Sequence, residues 1–218
     1  MSLSEEVAGA RANYTRGGLT EDDLAPDPIT MFERWYAEAR DAGIHEPNAM
    51  VVATAAPDGT PSSRMVLLKG FGERGFVFFT NLGSRKGTEL AANPRVALLF
   101  PWHPLERQVR IDGVATELPR AEVEEYFATR PRGSQLGAWA SRQSTVVAGR
   151  EALDTAYAEL ESRYDGQDVP LPPFWGGYVI RPEAVEFWQG RPGRMHDRLR
   201  YRRATDQPSG WVTERLAP

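Results

Sequence analysis

Apolar and polar residues change their rhythm near Met50. Before it, ITMFERWYAEARDAG (residues 29–43) carries apolar positions at helical spacing and stops at Gly43, which predicts a helix. After it come short β-rich runs. AMVVATAA and SRMVLLKGF flank PDGT, a hairpin signal centred on Asp58-Gly59. FVFFTN, RVALLFPW and ERQVRIDGVATEL predict further strands, interrupted by a short helix in SRKGTELAAN that ends before Pro94. Two helices are expected in RAEVEEYFATR and GREALDTAYAELESRY, separated by an irregular SQLGAWASRQS region. Strands return at WGGYVIRPEAVEFWQG, RMHDRLRYRRAT and WVTERLAP. Many short antiparallel runs with few helices predict a mainly β chain with helices (α+β), closed as a barrel or sandwich so that strand edges are covered. Residues 1–28, polar, glycine-marked and proline-ended, read as a mobile arm before one domain spanning 29–218.

Composition narrows the chemistry. The chain has 218 residues, 41% apolar, and a net charge of −4, which excludes a general nucleic-acid or membrane binder and makes clustered arginines a local matter. There is no cysteine, so disulfides, thiolate metal sites and cysteine nucleophiles drop out. No basic start precedes an apolar run, and no stretch reaches the roughly 20 apolar residues of a membrane span; a cytoplasmic protein is expected. His45, His103 and His196 lack ligand spacing, so no metal site is expected.

Two motifs mislead. GFGERG (70–75) has the G-x-G-x-x-G pattern, but strand-like FVFFTN follows it, so its glycines close a hairpin rather than open a dinucleotide-binding helix. GSRKGTE has the look of a P-loop, yet Lys86 precedes the glycine that should come before it.

Four stretches concentrate candidate chemistry. With Ser84 as N-cap, Arg85 and Lys86 fall in the first turn of a helix, where the dipole disfavours cations unless an anion takes the free N–H groups; a solvated basic turn is the competing reading. Arg64 and Lys69 share a strand whose Val66-Leu67-Leu68 run predicts cover on both faces, and Lys69 either snorkels or binds an anion. Tyr126 and Arg130, four apart on a helix, precede Ser134, which could cap a segment starting at Gln135; together they would form a phosphate cup, or else an ordinary exposed helix end. In EFWQGRPGRMHDR (186–198), strand geometry would put Arg194, His196 and Arg198 on one face beside Trp188, with Met195 and Asp197 on the other. Either an anion gathers these cations, or acids such as Asp197 and Glu186 pair with them.

Together these motifs, in one order from ARANYTRGGL to ERLAP, resemble the pyridoxamine 5′-phosphate oxidase family; the E-F-W-x5-R-x-H-D-R segment is the most specific. The resemblance implies an antiparallel, Greek-key-like split β-barrel, a homodimer with C-terminal dimerisation strands and FMN at the interface. It implies flavin contacts at Arg64, Met65, Val66, Leu67, Leu68, Lys69, Phe79, Thr80, Arg85, Lys86, Gln108, Gln143, Ser144, Trp188 and Arg198. Substrate contacts would come from Arg11, Ala12, Asn13 and Tyr14 in the arm, from Lys69, Tyr126, Arg130 and Ser134, and from Arg194, Met195 and His196. Phe79 departs from the family pattern, which has tyrosine there, and the TDQPSGW hairpin is longer than usual.

The implied reaction is oxidation of pyridoxamine or pyridoxine 5′-phosphate to pyridoxal 5′-phosphate, with hydride passing from C4′ to flavin and on to O2, giving H2O2 and, from the amine, ammonia. Arg194 and His196 are the expected catalytic pair. Two rivals remain: a related flavin oxidase of phenazine biosynthesis, and a non-catalytic flavin- or pyridoxal-phosphate-binding protein.

Overall fold

A computed structural model describes residues 3–9 and 13–218. Arg11 and Ala12 lie outside the described residues. The expected α+β class holds. Nine strands run in the order β2-β1-β5-β6-β7-β4-β3, with β8 and β9 continuing from β7. They are β1 Ala49–Ala55, β2 Pro61–Leu67, β3 Gly70–Gly72, β4 Gly75–Asn81, β5 Arg95–Phe100, β6 Arg107–Glu117, β7 Trp175–Gln189, β8 Asp197–Arg203 and β9 Trp211–Arg215. The helices are α1 Leu3–Gly9, α2 Pro28–Asp41, α3 Arg85–Ala92, α4 Arg120–Ala128, α5 Arg132–Ala140 and α6 Arg150–Arg163. No helix among the described residues is long and apolar enough to cross a membrane.

The chain divides into two compact units. One takes in the N-terminal segment to Pro47, Leu99–Ile111 and Glu183–Pro218. Its α2 begins where Asp27 accepts from the Ile29 and Thr30 N–H groups, with Pro28 already holding a helical φ. Gly43 leaves it at φ +73°. The buried face of α2 sets Phe32 against Phe100 (4.9 Å between rings) and Trp35 against Phe187 (5.1 Å), contributing roughly 1.5–3 kcal/mol per fully buried side chain. Residues 15–25 of the expected arm are tied into this unit. Leu19 is buried, its N–H donates to Asp197, and Tyr201 donates to the Ala25 carbonyl. Burial pushes the Tyr201 phenol up to about 12.

The other unit is Asn48–Leu98 with Asp112–Pro182. Its first hairpin turns at Asp58-Gly59, with Gly59 at φ +86°. β3 and β4 form the second, as the GFGERG reading required. Here glycine is obligatory at position 75: φ is +125°, and an added Cβ would lie 1.9 Å from the Ile180 carbonyl oxygen. Leu118, Val123, Phe127, Leu136, Val169 and Trp175 make the local core.

Three expectations need correction. β2 ends the sheet, paired with β1, and is alternately exposed, with Met65 64% exposed; within the single chain it is not covered on both faces. Lys69 lies beyond its end. The SQLGAWAS stretch is helical: α5 starts directly behind Pro131, whose fixed φ suits a helix entry, so Ser134 sits in the first turn instead of capping it. Finally, the last basic strand begins at Asp197, not Arg194. Pro192 and Gly193 bend the chain into a 3-10 turn that leaves Arg194 at φ +62°, so Arg194 and His196 do not alternate with Arg198 along a strand.

Gly75→Ala should therefore destabilise by about 1–3 kcal/mol or more, read as a lower urea midpoint at unchanged slope; an unchanged midpoint would contradict the close approach.

Candidate functional site

In the second unit a cavity of about 620 Å³ opens between the β2 end, β4 and the α4–α5 corner. Met65, Val66, Leu67, Lys69, Phe79, Thr80, Lys86, Tyr126, Arg130, Ser134 and Gln143 all line it. Eleven residues far apart in sequence thus meet at one wall. Leu68 turns into the core instead.

Two cations give the cavity its character. Lys86 is 7% exposed, and its Nζ donates to Gln143 Oε1 (2.8 Å), Thr80 Oγ1 (3.2 Å) and Ser84 Oγ (3.4 Å). All three partners are neutral oxygens. Burial pushes its ammonium below the ordinary 10.5, and nearby Arg64 adds to the effect. Arg130 lays its guanidinium over the Trp175 ring (4.6 Å to the centroid), and its Nη1 is buried with no hydrogen-bond partner among the described residues. Burial lowers this guanidinium too. Buried donors are nearly always satisfied, so an orphaned N–H on a desolvated cation fits an anion. Phosphate suits both positions, with roughly −1.5 to −2 charge and several acceptor oxygens.

The cavity also has flat walls. Phe79 stacks on Tyr126 at 3.8 Å with 7° between planes, and on Trp175 at 5.4 Å with 4°. Phe79 acts here through its ring face.

A family model described as "Pyridoxamine 5'-phosphate oxidase" matches residues 36–164, and one described as "Pyridoxine 5'-phosphate oxidase C-terminal dimerisation region" matches 175–218. A relative named pyridoxine/pyridoxamine 5′-phosphate oxidase from Nocardioides sp. is 68% identical, covering 98% of both chains. One of the same name from Rubrobacter xylanophilus is 62% identical, covering 98% of this chain and 97% of its own. The chain belongs to the pyridoxamine 5′-phosphate oxidase family. Among solved structures, PhzG from Burkholderia lata 383, in complex with tetrahydrophenazine-1-carboxylic acid, aligns at TM-score 0.85 and 36% identity over 92% of this chain and 98% of its own. A pyridoxamine 5′-phosphate oxidase-related, FMN-binding protein from Nostoc punctiforme shares the fold at TM-score 0.69 and 16% identity, over 89% of this chain and 100% of its own.

Other family positions are arranged less openly. Arg64 and Arg85 both turn to Glu89, at 3.5 Å and 2.8 Å. Burial of Glu89 raises its carboxyl, but hydrogen bonds from Ser62, Thr54 and Arg85 outweigh that and leave it at about 2. The α3 start is likewise occupied from within: Ser84 Oγ accepts from Gly87 N–H, and Ser144 Oγ from Arg85 N–H. The basic first turn therefore has a resident acid for Arg85 and none for Lys86.

In the first unit, Tyr14 packs edge-on against Trp188 (5.8 Å) and His196 (5.5 Å). His196 Nδ1 accepts from the Arg191 N–H at 3.1 Å. Arg198 is held in a two-pronged pair by Glu186, and Arg200 and Arg202 by Glu214, so acid pairing accounts for most of this cluster. Arg194 is exposed and makes no ion pair among the described residues. Met195 is 69% exposed. Asn13 is exposed, and Gln108 is half-buried at the start of β6.

Two residues escaped the sequence reading. Glu89 had a signal, since it follows Arg85 by four on one helix. Trp175 had none, because its partners come from β4 and α4.

Replacing Lys86 by Met should raise the thermal midpoint of the ligand-free protein by about 2–4 °C, since an unpaired buried charge is removed. The sign of the pH effect follows. Between the lowered folded value and 10.5, the unfolded chain retains a proton that the folded chain has lost, so wild type gains stability as pH rises there. The variant should lack that alkaline gain; a lower midpoint and an unchanged pH profile would contradict the assignment.

Proposed function

We propose that this chain oxidises pyridoxamine or pyridoxine 5′-phosphate to pyridoxal 5′-phosphate with FMN as cofactor and O2 as acceptor, as a cytoplasmic homodimer. The observation that carries the reading is the pair of cations, buried Lys86 and half-buried Arg130, lining one cavity with no acid partner among the described residues. Full-length identity of 68% to a relative named for this activity supports it.

The residues divide the work by charge and shape. Lys86, with Arg64, Arg85 and Ser144 beside it, would hold the flavin phosphate. Arg130, Lys69, Ser134 and the Tyr126 phenol would hold the phosphate of the substrate, and the ring walls would exclude water from between the two. Bound FMN would supply the redox chemistry, a two-electron oxidation at C4′ with O2 as the final acceptor and hydrogen peroxide as its product. With the amine, water then releases ammonia from the oxidised product.

Arg194 and His196 belong to the substrate set by family position. Because the Arg191 N–H occupies Nδ1, the neutral imidazole carries its proton on Nε2. His196 would then donate a hydrogen bond to the C4′ substituent. Arg194, exposed and without an ion pair among the described residues, would orient that substituent. A second copy would complete each site, in keeping with the match of residues 175–218 to a dimerisation region.

Anaerobic mixing of the yellow protein with pyridoxamine phosphate should bleach it, and air should restore the colour with release of peroxide. A yellow protein that neither bleaches nor yields peroxide with either phosphorylated vitamer is a binding protein, and the proposal fails. Oxidation of a tetrahydrophenazine carboxylate alone would favour the other oxidase. Arg194→Ala should lower kcat/KM about a hundredfold with flavin still bound; loss of flavin as well would remove Arg194 from the substrate set.

A further inference from the structure

We infer that Trp175 is a positioning residue for phosphate recognition, holding both Arg130 and Tyr126 in the orientation that takes the substrate's phosphate. The inference rests on the reading of Arg130 and Tyr126 as substrate ligands.

Trp175 opens β7 and is 6% exposed. Its backbone is fixed: the N–H donates to the Pro172 carbonyl at 3.2 Å, and the Trp175 carbonyl accepts from Arg120 at 3.1 Å. One indole then serves two neighbours. Arg130 lies over its ring at 4.6 Å, closer than its 5.6 Å approach to Phe127. The attraction between a cation and a ring face strengthens as water is removed, and Arg130 is half-buried against buried Trp175. It restrains the guanidinium without using any N–H, and Nη1 has no hydrogen-bond partner among the described residues. A carboxylate in the same place would compete with phosphate; a ring face does not. Tyr126 lies parallel to the same indole, 3° between planes at 6.1 Å, with Phe79 against it. The phenol plane is thereby set by the stack, which explains how Phe79 serves without a hydroxyl.

Trp175 also belongs to the core, so its test must separate orientation from packing. The informative variants are Trp175→Leu, which keeps apolar bulk but no ring face, and Trp175→Phe, which keeps a smaller one. Each is titrated with pyridoxal phosphate and with unphosphorylated pyridoxal, and assayed for KM and kcat. In wild type, phosphate should strengthen binding strongly. In Trp175→Leu that preference should fall by about tenfold or more, with the loss appearing in KM more than in kcat, and Trp175→Phe should recover part of it. In an Arg130→Met background, Trp175→Phe should lower the preference less than it does in wild type, because only its hold on Tyr126 remains to be lost.

If wild type itself shows no preference for the phosphorylated ligand, the reading of the cup fails. If wild type discriminates and the tryptophan variants discriminate equally well, or lose both ligands in parallel with their thermal midpoint, Trp175 is only a core residue. Should Trp175→Leu not fold, Trp175→Phe and its combination with Arg130→Met decide the matter alone.

Discussion

A charge buried without a counter-charge is among the least favourable arrangements a protein can keep. Lys86 is buried in this way, and half-buried Arg130 keeps a buried Nη1 with no hydrogen-bond partner among the described residues. Lys86 is held by neutral oxygens from a strand, a helix cap and the segment after α5. Arg130 is held by an aromatic face. No acid lines the cavity with them among the described residues, although the chain has more acids than bases. Where an acid is supplied, as Glu89 is to Arg64 and Arg85, the cations turn to it and leave the cavity wall. Lys86 and Arg130 thus have no acid to give up among the described residues, whereas Arg64 and Arg85 would share Glu89 with any phosphate.

The same distinction organises the C-terminal strands. Their arginines look alike in sequence, yet Arg198, Arg200 and Arg202 are matched by Glu186 and Glu214 across neighbouring strands. Arg194 escapes only because Pro192 and Gly193 turn the chain out of strand geometry just before it. A two-residue turn signal thus leaves Arg194 without an ion pair among the described residues.

Much of this fold was legible from local signals. Asp27-Pro28 opens α2 and Gly43 ends it; Asp58-Gly59 and GFGERG turn hairpins; Ser84 caps α3. The misses came where local signals are weak or where partners are distant. Glycine and serine hid α5, whose start was set by Pro131. The apolar run of β2 suggested burial, but which strand lies at an edge depends on pairings across the whole sheet. The site behaved likewise. Residue types near Lys86, Tyr126 and Arg130 pointed to phosphate, and the i,i+4 spacing from Arg85 pointed to Glu89, whereas Trp175 emerges only once β4 and α4 are brought to it.

The central claim is that Lys86 and Arg130 are maintained for anionic ligands and not for stability. Thermal unfolding of the flavin-free protein in increasing inorganic phosphate, against sodium chloride at matched ionic strength, tests it most directly. The account predicts a saturable rise in midpoint with phosphate that chloride does not reproduce. Identical curves in the two salts would contradict it.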